Sequence, residues 1–209
     1  MEQEYVREVY EKIAQDFSNT RTYIWKCVKL FLDTKTDNQV GLEIGCGNGK
    51  NMLYRPELNI IGIDNCHSFI NICHQRRLKV IYNDCCNLSF DNDMFNYVYS
   101  IAVFHHLDSE KRRIKALKEM VRVLKSGGEG LITLWSLENQ ENETIYRKFN
   151  KGDNLVKWCR RSDNQIFQRY YYIYDYQMIQ DYLSIVQDKI KILNIFNEHG
   201  NWVIHFSKL

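Results

Sequence analysis

Apolar residues near the start of the chain recur at helical spacing. Tyr5, Val9, Ile13 and Phe17 share one face and predict an amphipathic helix. A second helix is predicted over Tyr23–Leu32, ending in the polar run Asp33–Gln39. The period then changes. Short apolar runs at Val40–Ile44, Ile60–Ile63, Lys79–Tyr82, Phe95–Val103 and Gly130–Trp135 alternate with helical stretches and read as buried strands. The clearest helix between them is Ser109–Lys125, where Ile114, Leu117, Val121 and Leu124 form a face and Gly127 and Gly128 supply a stop. Three later runs, Phe167–Tyr176, Ile190–Phe196 and Trp202–Phe206, also read as strands. Only a turn at Glu198–Asn201 separates the last two, which predicts an antiparallel hairpin.

Such alternation predicts an α/β fold: a doubly wound, mostly parallel, seven-stranded sheet covered on both faces, with the antiparallel C-terminal hairpin at an edge. One domain accounts for 209 residues, with N-terminal helices over 1–39, a core over 40–135, and an insertion with the final strands over 136–209. The 44% apolar and 26% charged fractions are those of a globular protein, and a formal charge of +2 names no partner by itself. Seven cysteines with no CxxC pair fit neither a zinc ribbon nor a disulfide framework, so no metal is expected. The charged N-terminus is no signal peptide, and no apolar run approaches the roughly 20 residues of a membrane helix. A cytoplasmic or nuclear protein without a membrane anchor is expected.

The first strand runs into the turn Gly45-x-Gly47-x-Gly49, the opening unit of a nucleotide-binding sheet. Glycines alone do not name the ligand, since dinucleotide sites share their logic. Here, however, an acid, Glu43, precedes the first glycine, and the spacing is not GxGxxG. The second strand ends at Asp64, nineteen residues after Gly45, where a carboxylate can accept both ribose hydroxyls. The third ends in YNDCC, placing Asp84 where it could read an adenine amino group, and the fourth in SIAVFHHL. Four strand ends in this order point to S-adenosylmethionine, an adenosyl cofactor without phosphate. Glu43, Gly45, Gly47, Gly49, Asp64, Asn65, Asp84, Cys85 and Ile101 are the candidate cofactor residues.

Several longer stretches carry a more specific likeness. EQEYVREVYEKIAQDFSNTR, EIGCGNGK, FNYVYSIAVFHHL, SEKRRIKALKEMVRVLKSGG, LITLWSLENQ, QRYYYIY and GNWVI together resemble the tRNA wobble-uridine carboxymethyl methyltransferases over nearly the whole chain. The resemblance implies a class I methyltransferase that esterifies the carboxymethyl group of uridine 34 in the tRNA anticodon loop, helped by a small zinc-binding activator protein. By position, Arg21, Trp25, His105, His106, Arg169 and Tyr170 match the family's substrate-side residues. The chain departs from the pattern in three places. Asn65 stands where an arginine is common, Tyr172 where a histidine is usual, and the basic insertion shrinks to about Glu138–Gln168.

The residue types suit that reaction. A carboxylate is ionised at neutral pH and needs no general base, so a site has only to orient and desolvate it. Arg21, Arg169 and His105 can do so, with Trp25 and Tyr170 beside them. Between Ile145 and Arg169, seven cations (Arg147, Lys148, Lys151, Lys157, Arg160, Arg161, Arg169) face two acids (Asp153, Asp163), with Trp158 and Phe167 among them. Cations interleaved with aromatics suit an anticodon loop. The third strand, Lys79–Tyr82, is expected at a sheet edge, flanked by Phe69, Ile72 and Cys73, where the activator could add a strand. Two other readings stay open: a methyltransferase for a small acid or lipid precursor, and a catalytically silent partner subunit.

Overall fold

The structure, a computed structural model, describes residues 1–138 and 149–209. Its centre is β4 (Phe95–Ile101), whose Phe95, Tyr97, Val98 and Tyr99 are fully buried because both faces are covered. Parallel to it run β1 (Val40–Ile44), β2 (Asn59–Asp64) and β3 (Val80–Tyr82) on one side and β5 (Leu124–Trp135) on the other. Beyond β5 lie β9 (Asn201–Lys208) and β8 (Ile190–Glu198), both antiparallel to their neighbours. The order is β3-β2-β1-β4-β5-β9-β8, so the expected seven-stranded sheet is present, with β3 at one edge and β8 at the other. Strand order reverses between β1 and β4, and a crevice opens at the C-terminal ends of these strands.

Helices close that crevice. A π-type turn, Gln3–Arg7, runs into α1 (Glu8–Thr20). The Val9, Tyr10, Ile13 and Ala14 face of α1 packs on Phe69 and Ile72 of α3 (His67–Gln75). Each large apolar side chain buried this way contributes about 1.5–3 kcal/mol. The same packing removes the apolar flank expected beside β3. Phe69, Ile72 and Cys73 are buried against α1 and the core, and not turned to solvent. Helix α2 (Lys26–Asp33) starts later than its apolar pattern suggests. Trp25 is extended, and the Cys27 amide donates to Glu198 Oε2 at 3.3 Å, an N-terminal cap supplied from another element.

Helix α4 (Glu110–Val123) is capped by Ser109, whose Oγ accepts from the Arg112 amide at 3.4 Å. The expected glycine stop is not how it ends. Leu124 turns directly into β5, and Gly127, with φ of 75°, lies inside that strand. The run Phe167–Tyr176 also divides. Strand β7 (Ile166–Ile173) ends before Asp175, which caps α5 (Tyr176–Ser184) by accepting from the Met178 amide at 2.8 Å. Strand β7 does not join the main sheet. It pairs with β6 (Gly152–Cys159), a strand the glycine- and asparagine-containing sequence conceals, to make a separate two-stranded ribbon. The ribbon is tied to the end of β5, where Leu137 donates to the Tyr174 carbonyl at 2.8 Å.

Candidate active site

A cavity of about 540 Å³ lies over the β1–β4 crevice, roofed by α1 and the ribbon. The glycine turn forms its floor. Gly45, Gly47 and Gly49 all have left-handed φ values, but they serve different ends. A Cβ on Gly45 would strike Val103 at 2.4 Å, and one on Gly49 would strike Leu78 at 2.2 Å, so both are required by packing. A Cβ on Gly47 would meet nothing within 4 Å, because that residue faces the open cavity. The turn is braced by Asp64, whose Oδ2 accepts from the Gly47 amide at 2.8 Å and Oδ1 from Cys66 at 3.0 Å. Each oxygen keeps a further lone pair for a ligand hydroxyl. Burial pushes the Asp64 carboxyl up to about 6 against the pull of those amides. Glu43 lies deeper, bound by Asn51 at 2.7 Å and the Tyr99 hydroxyl at 3.1 Å, and burial raises it to about 7.

This floor fits a phosphate-free adenosyl ligand better than a dinucleotide. A pyrophosphate is held by the N-terminus of a long helix, yet the glycine turn leads only into one three-residue 3-10 turn, Met52–Tyr54. The cations at the turn are committed elsewhere: Lys50 donates to the Tyr23 carbonyl at 2.7 Å and Arg76 to the Asn48 carbonyl at 2.7 Å. Asp64 and Gly47 remain to receive a ribose, and Asn65, Cys85 and Ile101 line the same cavity.

The opposite wall is built from two neighbouring histidines in complementary states. The Trp135 amide donates to His105 Nδ1 at 3.2 Å, so the ring proton of neutral His105 lies on Nε2. His106 Nδ1 lies 2.8 Å from the Tyr170 carbonyl, which can only accept, so this ring carries its proton on Nδ1. Its Nε2 accepts from the Tyr10 hydroxyl at 3.1 Å, and Tyr10 in turn accepts from Arg169 Nη1 at 3.2 Å. Burial drives His105 well below the ordinary imidazole value, helped by His106 and Arg169, and takes His106 to about 3. Both rings are neutral. Tyr171 stacks on Trp135 at 4.0 Å and on His105 at 5.0 Å, and holds the wall flat.

Arg169 is the charge in this wall. It is 2% exposed, it contacts the Tyr10, Tyr171 and Phe17 side chains, and it forms no ion pair among the described residues. Its Nε and the Nε2 of His105 are buried donors without partners. A buried cation without an anion is costly, and its own bare Nε with the bare Nε2 of His105 makes a receptor for a carboxylate.

The family model described as "Methyltransferase domain" matches residues 42–132. Over 191 residues the chain is 33% identical to the tRNA (carboxymethyluridine(34)-5-O)-methyltransferase of Schizosaccharomyces pombe, a match covering 83% of each protein. The chain belongs to this methyltransferase family. Its Arabidopsis thaliana relative of the same name is 41% identical over 145 residues, which are 69% of this chain but 36% of that protein; the chain therefore spans about a third of it. A solved structure, "Complex between the Haloferax volcanii Trm112 methyltransferase activator and the putative methyltransferase", shares the fold. Its TM-score is 0.65 at 14% identity, over 97% of both chains.

Not every candidate residue of this family member reaches the cavity. Glu43, Gly45, Gly47, Asp64, Asn65, Cys85 and Ile101 line it, as do Arg21, Trp25, His105 and Arg169. Arg21 lies at the mouth with its guanidinium 4.8 Å over the Phe17 ring. Gly49 packs behind the turn. Tyr170 points away, its hydroxyl donating to Asp153, and its neighbour Tyr171 takes the inward place. Asp84 is also outside the lining. Burial opposes its ionisation, but the Cys86 amide with Arg112 and Arg7 holds the carboxyl below its usual value. Arg112 contacts it at 2.9 Å and Arg7 at 2.9 Å, and both also grip Glu2. Asp84, Cys85 and Cys86 bring ligand-type atoms within 4.8 Å of one another, but this carboxylate is already paired with two guanidiniums.

Nothing in the sequence pattern marks Tyr10, Tyr171, Asn83 or the His199–Asn201 turn as facing the site, yet all of them line the cavity. The alternation of Tyr170 and Tyr171 along β7 could have assigned their faces, since successive strand residues point opposite ways.

Proposed function

We propose that the chain binds S-adenosylmethionine and methylates the carboxymethyl group on C5 of the wobble uridine of tRNA, giving a methyl ester. The observation that carries this reading is Arg169: a buried guanidinium with no ion pair among the described residues and a bare Nε, which lines the same cavity as the bare Nε2–H of His105 and Asp64. When bound, S-adenosylmethionine supplies a methyl group on a sulfonium, which leaves as a neutral thioether and needs no proton. Gly47 gives the backbone close approach to this cofactor, and the Asp64 carboxylate accepts from its ribose.

Arg169 and His105 orient the substrate carboxylate with three features in their favour. The guanidinium stays charged, so it attracts the anion without protonating it. His105 is kept neutral, so it donates one hydrogen bond and does not quench the nucleophile. Tyr10, held between Arg169 and His106, fixes the guanidinium in place. The aromatic wall excludes water and strengthens each contact.

The tRNA is met at the mouth. Exposed Lys157 and Arg161 of the ribbon suit phosphate contact. Trp158 and Phe167 are half-buried against the α1–α3 cluster and serve the ribbon's seating, not base stacking. Arg147 and Lys148 lie outside the described residues. The activator's place is the β3 edge, where Ile81 and Tyr82 are 43% and 46% exposed and the strand's outer side is open to pairing. A protein of the same fold, solved in complex with a methyltransferase activator, supports a partner of this kind.

The test is transfer of labelled methyl from S-adenosylmethionine to tRNA, with a small activator protein present. Transfer to tRNA bearing 5-carboxymethyluridine, and none to tRNA lacking it, is expected. Equal labelling of both tRNAs, or of small carboxylic acids, contradicts the reading.

A further inference from the structure

The turn between β8 and β9 enters the cavity beside the substrate wall. His199, with φ of 50°, and Gly200, with φ of 73°, fold it so that His199, Gly200 and Asn201 line the space. The Gly200 amide donates to Asn197 Oδ1 at 3.2 Å, and its carbonyl accepts from the Ser136 amide at 3.0 Å. Asn201 pairs in register with Trp135, whose own amide holds the His105 ring. Adjacent residues of one strand end therefore fix both the carboxylate wall and this turn.

Asn201 is 5% exposed, and the direction of its amide is determined. Nδ2 donates to the carbonyls of Glu198 at 3.3 Å and His199 at 3.0 Å. Two carbonyls can be satisfied only by the NH₂ group, so the oxygen faces the other way. That Oδ1 is buried without a partner. The bare atoms of His105 and Arg169 are donors and suit an anion; Oδ1 is an acceptor and suits an N–H. Asn51 Oδ1, also bare, belongs to the floor residue that binds Glu43.

We propose that Asn201 reads the uracil ring: its Oδ1 accepts the N3–H of the base whose carboxymethyl group Arg169 and His105 hold. This inference rests on the function proposed above. Uracil donates at N3, whereas cytosine presents a lone pair there, so the contact selects uracil by leaving two acceptors face to face in the wrong complex.

The experiment compares kcat/KM on anticodon stem-loops carrying 5-carboxymethyluridine or 5-carboxymethylcytidine at the wobble position, for the unaltered chain, Asn201→Ala and Asn201→Asp. Both variants lose the Nδ2 anchors, but only the alanine loses the acceptor. The exchange of O4 for N4 is common to all three proteins and cancels. The unaltered chain and Asn201→Asp should prefer uridine, and Asn201→Ala should lose at least about tenfold of that preference. S-adenosylmethionine affinity, measured by calorimetry, should hold in all three. An undiminished preference in Asn201→Ala overturns the proposal. So does weakened cofactor affinity in that variant alone, which would assign Oδ1 to the cofactor's ammonium, or a loss seen instead with a 2′-deoxy substrate. No transfer by the unaltered chain to either stem-loop would defeat the carboxymethyluridine reading itself, a separate and recognisable failure.

Discussion

The backbone amide of Trp135 donates to Nδ1 of His105 at 3.2 Å and so decides which way the histidine's proton faces. An N–H cannot accept, so the proton sits on Nε2, where the ring has no other partner. Replacing His105 by Phe keeps the aromatic wall but removes this donor. Transfer should fall about 10- to 100-fold with S-adenosylmethionine affinity unchanged, since the proposed function has the ring meet substrate and not cofactor. Steady-state kinetics with calorimetry checks this, and loss of cofactor binding first would reassign the residue.

The two histidines also set a stability profile. Their native values lie below the unfolded value of about 6.5, His106 at about 3. Between those limits the unfolded chain takes up protons that the native chain refuses. Their contribution is therefore present above about pH 6.5 and is lost as pH falls towards 3. Glu43, raised to about 7, and Asp64, raised to about 6, work the other way across the window from about pH 4 to 7. Replacing His106 by Asn should flatten the acid side of a melting-temperature profile, whereas Glu43→Gln should steepen it.

Asp64 both braces the glycine turn and faces the cavity. Asp64→Ala should weaken S-adenosylmethionine by about 10- to 100-fold, the loss of hydrogen bonds to a charged acceptor. It should also lower the melting temperature, because the Gly47 and Cys66 amides lose their partner. In the unaltered protein, affinity should decline as pH drops through about 6, when the carboxyl takes up a proton. Asp64→Asn should remove that pH dependence.

The glycines of the turn separate binding from folding. Gly47→Ala should fold at a cost of about 1 kcal/mol from its left-handed backbone, yet lose cofactor affinity as the methyl enters the cavity. Gly49→Ala should destabilise by about 1–3 kcal/mol or more, since its methyl would overlap Leu78. Melting curves alongside calorimetry distinguish the two.

The parallel core was legible because short apolar runs, buried on both faces, and the glycine turn are local signals. The floor residues Gly47 and Asp64 came with it, since strand ends converge at the crevice. Sequence did not reveal that Asp84 is held by Arg112 and Arg7, because an ion pair across 28 or 77 residues leaves no periodic trace. The motif points to Tyr170 and not Tyr171 because it names residues without giving their face. Strand β6 was hidden by its Gly, Asp and Asn, which pair there only because β7 lies alongside.

At the β3 edge, Ile81→Pro removes a backbone donor from the outermost strand. Association with a strand-adding activator should be lost while S-adenosylmethionine binding persists. Co-purification against calorimetry reads the two separately, and a monodisperse, fully active chain without any partner would contradict this role for the edge.

The chemical identity of the product tests the central claim most directly. After methyl transfer from labelled S-adenosylmethionine, the tRNA should be treated with mild alkali and its wobble nucleoside recovered. The account predicts that the label is released as methanol and that 5-carboxymethyluridine returns, because the methyl group sits on a carboxylate oxygen oriented by Arg169. A label that survives alkali on the base or the ribose would contradict it.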